Sequence, residues 1–227
     1  MIRGVFSKSE VEALRMEADR VARVEGSACV RHLREKSKEF DQLAISERLQ
    51  KLLPPGLSPV RSILFDKTPS ENWPVSWHQD LTITVEEKIE LEGYGPWSTK
   101  SGSTHVQPPE TLLKEMVTIR IHLDETPASN GALRVIPQSH KKGKLESKSI
   151  LFDVDDSEVT CACAPGDVLL MSPLILHASK RAERPKRRRI LHFEYAPLDA
   201  LDERLSWHEP PTAIKAELST PFAALTP

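Results

Sequence analysis

Two hydrophobic patterns divide the chain, a helical one before residue 56 and an alternating one after it. Over 8–24, apolar residues recur at steps of three and four, which places them on one face of an amphipathic helix with Ser9 as the expected N-cap. A second helix is predicted over 45–53, ending before Pro54 because proline cannot continue a helix. The apolar face of the first helix consists of Val11, Leu14, Ala18 and Val21.

After residue 56, short apolar or alternating segments between Pro- and Gly-containing turns predict β-strands. The strongest is Met116–Leu123, in which four apolar residues alternate with Thr118, Arg120 and His122 on the opposite face. A further alternating strand is predicted over Arg187–Ala196. The other predicted strands are Val60–Asp66, Val75–His78, Ala132–Ile136, Glu158–Ala162 and Val168–Met171.

Helices followed by many short strands indicate a mainly β domain with flanking helices, folded as a sandwich or barrel. We expect a single domain over 1–227, with a helical N-terminal region at 1–55, a β core at 56–200 and a C-terminal tail at 201–227. Residues 91–115 carry few strand signals and many polar residues, so a long loop or lid is predicted there.

Composition limits the compartment and the partners. The 31 basic and 33 acidic residues nearly cancel, so no overall field directs the chain to nucleic acid or to an anionic membrane. No segment reaches the roughly 18 consecutive apolar residues of a membrane span, and the N-terminus lacks the apolar stretch of a signal peptide. Three cysteines, an odd number, favour a reducing compartment over a disulfide framework. We therefore expect a cytoplasmic protein without nucleic-acid or membrane partners, whose oligomeric state the sequence leaves open.

The run Ser-Trp-His-Gln-Asp supplies a candidate metal site. Residues two apart in an extended segment point to the same side, so His78 and Asp80 can face one ion while Gln79 points elsewhere. His177 comes about a hundred residues later at the end of an apolar run, where a strand is expected to finish. Two imidazoles and one carboxylate on one face of a metal form the donor set of mononuclear ferrous sites. An H-x-D pair alone is common, so this interpretation depends on His177 and on a basic residue downstream of it.

This basic residue is a candidate carboxylate-binding group and lies eleven positions after His177. Alternation along the predicted strand puts Arg188, Ile190 and His192 on one face and the apolar pair of Leu191 and Phe193 on the other. The guanidinium of Arg188 can bind a carboxylate through two parallel hydrogen bonds. We expect its face of the strand to line a water-filled cavity.

These residues belong to segments that, in their order, resemble the phytanoyl-CoA dioxygenase-like family of Fe(II)- and 2-oxoglutarate-dependent oxygenases. The resemblance covers roughly 60–196. One departure is Gln138, where the family usually has glycine before Ser-His, and it affects a turn rather than a ligand. The matching segments are Leu64–Trp73, Trp77–Asp80, Arg120–Asp124, Asn130–His140, Pro165–Asp167, His177–Ser179 and Arg184–His192.

The resemblance implies a double-stranded β-helix, which is a jelly roll or cupin-like barrel. It implies Fe(II) held by the two histidines and the aspartate described above, with 2-oxoglutarate and O2 as cosubstrates. Arg188 is the implied anchor for the distal carboxylate of 2-oxoglutarate. Lys67 and Ser179 match positions that assist cosubstrate binding in relatives, and Thr118 is a weaker candidate on the inner face of its strand.

The implied reaction is hydroxylation of an aliphatic C–H bond in a small metabolite, with no general base required. Related halogenases lack the metal-binding carboxylate, so Asp80 favours hydroxylation, while desaturation, epoxidation and ring formation stay open. Substrate specificity is expected to reside in the polar segment that contains Trp97 and His105, with a contribution from the tail near Trp207 and His208. Loop packing is the competing interpretation for these residues.

Three alternatives stay open. A cupin-type metalloprotein would use no 2-oxoglutarate, although cupins usually present H-x-H with a later glutamate. A nucleic-acid-binding module is suggested by the basic run Arg184–Arg189, although such a run is usually a solvated face and this one also has to supply Arg188. The third is an oxygenase with an intact iron site and a regulatory role.

Overall fold

The computed structural model describes residues 1–146, 150 and 157–209, in which antiparallel β-sheets enclose a cavity and helices pack on the outside. In this part of the chain the helices precede most of the strands, as the sequence predicts. The α-helices are α1 (Lys8–Glu25), α2 (Leu33–Lys36), α3 (Lys38–Ala44), α4 (Glu47–Gln50) and α5 (Glu110–Glu115).

The strands form a five-stranded, a four-stranded and a three-stranded sheet in the described ranges. They are β1 (Cys29–Arg31), β2 (Leu57–Lys67), β3 (Val75–His78), β4 (Ile83–Val85), β5 (Trp97–Lys100), β6 (Ser103–Val106), β7 (Val117–His122), β8 (Leu133–Val135), β9 (Val159–Cys161), β10 (Val168–Met171), β11 (His177–Ser179) and β12 (Arg188–Pro197). Their order is β1-β2-β12-β7-β10 in the larger sheet, β3-β11-β8-β9 in the second and β4-β6-β5 in the third. This is the mainly β jelly roll with flanking helices that the sequence predicts.

Strand β12 shows how the larger sheet separates the core from the cavity. Leu191, Phe193 and Tyr195 are fully buried in the principal hydrophobic cluster. Arg188 and His192, on the other face of the strand, line the cavity. The alternation predicted for this segment is therefore confirmed, and it results from the two-residue period of a strand.

Helix α1 covers the outer face of the larger sheet. Val11, Ala18 and Val21 are buried in the same cluster as Leu191, and Leu14 packs against that cluster, so the predicted apolar face is confirmed. Burial of a valine or leucine side chain contributes roughly 1.5–3 kcal/mol to the free energy of folding.

Two details of the helical region differ from the prediction. The N-cap of α1 is Ser7 rather than Ser9, because the spacing from Ser7 to Glu10 completes a capping box in which each side chain binds the other's backbone N–H. The helix predicted over 45–53 is only the short α4, and α3 precedes it without having been predicted. Ser37 caps α3 by accepting a hydrogen bond from the Phe40 N–H.

The prediction of a long loop over residues 91–115 is wrong, since strands β5 and β6 and helix α5 lie there. A two-residue turn at Ser101 and Gly102 joins the two strands, with φ angles of 51° and 80°. Positive φ at both positions is what a type I′ hairpin turn requires, and Ser-Gly is compatible with it. The polar residues on both strands concealed this hairpin in the sequence.

The predicted C-terminal tail is described as far as Glu209, and residues 210–227 lie outside the described part. Trp207 is buried in a second hydrophobic cluster and forms an isolated bridge with Val85. The buried carboxylate of Glu209 accepts hydrogen bonds from the backbone N–H and the hydroxyl of Ser62. The last described segment is therefore fixed against β2 and β4.

Candidate metal centre

The candidate centre forms where β3 pairs with β11 in the four-stranded sheet. His78 ends β3 and His177 begins β11, and the two are register partners in this antiparallel pair. Their ring centroids lie 4.2 Å apart at an interplanar angle of 48°. Since directly opposed residues project to the same side of a sheet, strand pairing by itself brings the two imidazoles together.

Asp80 completes the cluster two residues beyond His78. Its Oδ1 lies 3.7 Å from His78 Nε2, and its Oδ2 lies 3.6 Å from His177 Nε2. The candidate ligand atoms of the three residues all lie within 4.8 Å of one another. Gln79 points elsewhere and donates hydrogen bonds to backbone carbonyls, as the two-residue period predicts.

The backbone fixes the orientation of both imidazoles. His78 Nδ1 donates to the Ser76 carbonyl at 2.8 Å, and His177 Nδ1 donates to the Ile175 carbonyl at 2.9 Å. Because each Nδ1 is occupied, each Nε2 carries a free lone pair directed at the cluster. A hydrogen bond of this kind to the distal nitrogen is the usual support of a metal-binding histidine.

The surroundings hold the carboxylate charged and His177 neutral. Burial opposes the ionisation of Asp80, but the facing side chains of His177, His192 and His78 outweigh it and lower its pKa to about 2. Burial is also the main reason why the pKa of His177 falls to about 4. Metal ligands have to be deprotonated, so these states suit a divalent cation.

The cluster lies on the wall of a cavity of about 450 Å³ between the five-stranded and the four-stranded sheet. Small-molecule sites typically have volumes of about 300–1,000 Å³. The larger sheet forms the floor, where strand register arranges the side chains in rows. From one end of the floor to the other there are four rows of register partners. The first row contains Lys67 and Arg188, the second Phe65, Ile190 and His122, the third Arg31, Ile63, His192 and Arg120, and the fourth Arg61, Glu194 and Thr118.

Arg188 is fixed at one end of this floor by a close approach of the backbone. Its Nη1 donates to the carbonyl of Gly131, which has a φ of 70°. A Cβ at Gly131 would lie 2.9 Å from the Lys180 carbonyl oxygen and 3.4 Å from Arg188 Nη1. Only glycine tolerates both this φ and this space, so Gly131 determines where the guanidinium lies.

Lys67 shares the row of Arg188. Its Nζ donates to the Trp73 carbonyl at 2.8 Å and lies 4.3 Å from the Trp73 ring centroid. Burial, together with repulsion from Arg188 and Arg120, lowers the pKa of Lys67 to about 8. The lysine is therefore charged at neutral pH and has no carboxylate partner among the described residues.

The other predicted site residues divide into two groups. Ser179 lines the cavity. Thr118 is fully buried, lies in the row farthest from Arg188, and is not part of the cavity lining. Trp97 and His105 belong to the three-stranded sheet and also lie outside the lining. The structure does not bring these last three residues to Arg188 or to the metal cluster.

Sequence reasoning missed a chain of buried hydrogen bonds beneath the centre. Arg120 Nη1 donates to His192 Nδ1 at 3.0 Å, and His192 Nε2 donates to Glu194 Oε1 at 3.1 Å. Arg61 Nη1 donates to the same carboxylate oxygen at 3.1 Å. The only signal in the sequence was the alternation that placed Arg120 and His192 on polar faces, which gave no indication that their strands are neighbours.

The basic run Arg184–Arg189 is largely occupied by contacts within the protein. Arg187 binds both carboxylate oxygens of Asp66, and Arg188 lies in the cavity. Arg189 binds Asp124 through Nε and Nη2 at 2.8 Å each. These contacts favour a structural role for the run over a flat nucleic-acid-binding patch.

A second group of metal-ligating residue types consists of His32, Glu35 and His208. The imidazole of His32 hydrogen-bonds the Ser103 hydroxyl through Nε2, and its Nδ1 lies 3.3 Å from Glu209 Oε1. Glu35 is exposed. We interpret this group as a polar cluster that joins β6, the start of α2 and the last described residues.

Fold and site together define a class: a jelly-roll protein with a two-histidine, one-carboxylate cluster on the wall of its cavity. The family model described as "Phytanoyl-CoA dioxygenase (PhyH)" matches residues 1–190, and the chain belongs to this family. No curated protein matches the chain in sequence. No helix in the described part is long and apolar enough to cross a membrane.

Solved structures share the fold at low sequence identity. HygX from Streptomyces hygroscopicus, with nickel and 2-oxoglutarate bound, is 19% identical with a TM-score of 0.64, covering 87% of this chain and 82% of its own. SnoK, a carbocyclase from nogalamycin biosynthesis, is 19% identical with a TM-score of 0.64 over 92% of this chain and 81% of its own. The epimerase SnoN, in complex with Fe3+, alpha-ketoglutarate and nogalamycin RO, is 17% identical with a TM-score of 0.65 over 100% of this chain and 86% of its own.

Proposed function

We propose that the protein is an Fe(II)- and 2-oxoglutarate-dependent oxygenase that uses O2 to hydroxylate an aliphatic C–H bond of a small metabolite. The observation that carries this proposal is one cavity with a metal-ligating cluster on its wall and, at one end of its floor, Arg188 and Lys67, which have no carboxylate partner among the described residues. Membership of the phytanoyl-CoA dioxygenase family supports it. Metal and 2-oxoglutarate in the structures of HygX and SnoN support it further.

Six polar side chains of the cavity have a role in this proposal. His78, Asp80 and His177 hold the iron, which couples O2 to the oxidative decarboxylation of 2-oxoglutarate and to oxidation of the substrate. Arg188 binds the distal carboxylate of 2-oxoglutarate, because its planar fork matches a carboxylate. Lys67 adds a second positive charge, and the hydroxyl of Ser179, which lines the same cavity, would donate a hydrogen bond to the cosubstrate.

The carboxylate of Asp80 favours hydroxylation over halogenation because it occupies a coordination position that a halide would otherwise need. Structural neighbours named carbocyclase and epimerase share this fold, so we keep outcomes other than hydroxylation as results that the substrate screen can reveal. We assign no side chain of the cavity to proton transfer, since removal of hydrogen from an aliphatic carbon in this chemistry requires no general base.

The proposal is tested by succinate release from 2-oxoglutarate in the presence of Fe(II) and O2, with and without a metabolite panel. We expect slow turnover without substrate, and its absence in Asp80→Ala. A cupin-type metalloprotein would bind the metal and consume no 2-oxoglutarate, which would contradict the proposal. Tight nucleic-acid binding with a steep dependence on salt would instead support the basic-patch alternative.

A further inference from the structure

The cavity carries more positive charge than metal and cosubstrate binding account for. Two carboxylates, Asp80 and Glu194, line it in the described part of the chain. The charges of Fe(II) and of the 2-oxoglutarate dianion cancel each other, so four positive charges stay without compensation. The cationic side chains in the lining are Arg31, Arg61, Lys67, Lys100, Arg120 and Arg188.

Lys67 and Arg188 lie at one end of the floor, Arg61 lies at the other end, and Arg31 and Arg120 share the row next to Arg61. Lys67 pairs in register with Arg188 at one end, and Arg61 pairs with Glu194 at the other. Arg188 and Glu194 are six residues apart on β12, which corresponds to about 20 Å along a strand. The five-carbon chain of 2-oxoglutarate is too short to reach both ends, so the second end is free for another ligand.

Three cations from different strands converge at this second end. Arg31 lies opposite Ile63 in the β1–β2 pair, which places it diagonally across from Arg61 on the cavity face. Lys100 reaches the cavity from the β5–β6 hairpin. Burial and then the positive charges of Arg61, Lys100 and Arg31 lower the pKa of the buried His105 imidazole to about 4.

The protein neutralises only part of the charge of this group. Arg61 shares Glu194 with His192 and also donates to the Thr82 carbonyl. Neither the guanidinium of Arg31 nor the ammonium of Lys100 has a hydrogen-bond or ion-pair partner among the described residues. Three cations that share one carboxylate, Glu194, in a half-enclosed cleft keep a net positive potential, which attracts and retains an anion.

A buried polar cluster holds the three elements in place. His32 is the residue directly after Arg31 and hydrogen-bonds Ser103, the register partner of Lys100. The same imidazole lies 3.3 Å from Glu209, whose carboxylate accepts from the backbone N–H of Ser62, the neighbour of Arg61. This cluster fixes the backbone of all three cations before any ligand arrives, and preorganisation of this kind lowers the cost of binding.

We infer that Arg31, Arg61 and Lys100 form an anion-binding subsite that takes an acidic group, a carboxylate or a phosphate ester, of the substrate to be oxidised. The inference rests on the proposed function, since it places this acidic group at the end of the cavity opposite 2-oxoglutarate. The metal cluster and the three cations line the same cavity.

Binding is measured by ligand-observed NMR on protein loaded with Ni(II) and saturating 2-oxoglutarate, at constant ionic strength. The probes are inorganic phosphate, propionate and the uncharged propionamide. We expect saturable binding of phosphate, propionate or both, roughly tenfold weaker binding in Arg31→Met and Lys100→Met, and recovery in Arg31→Lys. The matched control is Lys51→Met, which removes an exposed lysine paired with Glu47.

Preference for phosphate identifies a phosphate ester as the substrate class, and preference for propionate identifies a carboxylate. Two results would overturn the subsite. One is equal binding of propionamide and propionate. The other is anion binding that 2-oxoglutarate displaces, because such competition would place the anion at Arg188. Failure of the proposed function would appear separately, as absence of 2-oxoglutarate binding to the metal-loaded protein, and the anion titrations can be repeated without 2-oxoglutarate.

Discussion

His78 and His177 face each other as register partners across two strands whose sequence positions are 99 residues apart. This pairing converts the H-x-D pair into a three-residue cluster, because it brings the third ligand within reach of Asp80. The backbone carbonyls of Ser76 and Ile175 hold the two rings by their Nδ1 atoms. The site therefore depends on strand register as much as on the ligand residues themselves.

Replacement of Gly131 by alanine is expected to weaken 2-oxoglutarate binding without touching a ligand. The new Cβ would meet the Lys180 carbonyl at 2.9 Å and crowd Arg188 Nη1, which displaces the guanidinium. Backbone strain at positive φ costs about 1–3 kcal/mol in addition. Calorimetric titration with 2-oxoglutarate and thermal unfolding measure the two effects.

The control for this substitution is Gly26→Ala, at a φ of 59° with no neighbour within 4 Å of the added Cβ. It should lower stability through strain and leave 2-oxoglutarate affinity unchanged. If both variants bind 2-oxoglutarate like the unaltered protein, the close approach at Gly131 does not position Arg188.

The affinity for 2-oxoglutarate should fall as the pH rises through about 8. Burial and the neighbouring arginines lower the pKa of Lys67 to about 8, so the protonated lysine that attracts the dianion is lost above that pH. Binding of the dianion favours the charged form, so the dissociation constant should increase by up to about tenfold per pH unit above 8. Titrations at pH 7, 8 and 9 with a redox-inert metal measure this.

The matched variant for the pH experiment is Lys67→Arg, whose guanidinium stays charged throughout the range. Its affinity should depend less on pH. A dissociation constant that rises equally in both proteins would exclude Lys67 as the titrating group.

Substitution of Arg189 by methionine should destabilise the fold strongly. Arg189 binds Asp124 through two side-chain nitrogens and its backbone N–H, and it also binds Asp19 on α1. Removal of one partner from a buried pair typically costs about 3–5 kcal/mol, and we expect a loss near the lower end of this range because Asp124 keeps its ion pair with Arg15. The free energy of unfolding from denaturant titration measures the loss.

Arg204→Met is the comparison for Arg189, because Arg204 binds Asp202 with similar geometry on the surface. It should change stability little. Equal effects of the two substitutions would mean that the Arg189 network does not stabilise the packing of α1 against the larger sheet.

The sequence predicts those parts of the fold that depend on local periodicity. Val75–His78 and Val168–Met171 have the predicted bounds, and the two faces of β12 divide as predicted between the core and the cavity. The period of two is a local property of an extended backbone, so single segments reveal it. The direction in which Arg188 points is a consequence of the same property.

Features that depend on which strands are neighbours could not be predicted. Arg31 reaches the cavity because β1 pairs with β2, and nothing in the sequence around Arg31 indicates that pairing. The hydrogen bond from Arg120 to His192 likewise requires β7 and β12 to be adjacent. The hairpin containing Lys100 was hidden because its strands are largely polar.

The most direct test of the central claim is anaerobic titration of the protein with Fe(II) and 2-oxoglutarate, monitored by visible spectroscopy. We predict a weak charge-transfer band from chelated 2-oxoglutarate, absent in His177→Ala. In Arg188→Ala the band should form at higher 2-oxoglutarate concentrations, roughly 10–100-fold, because one charge-assisted pair is lost. No band in the unaltered protein, or spectra that neither substitution changes, would contradict the assignment of the centre.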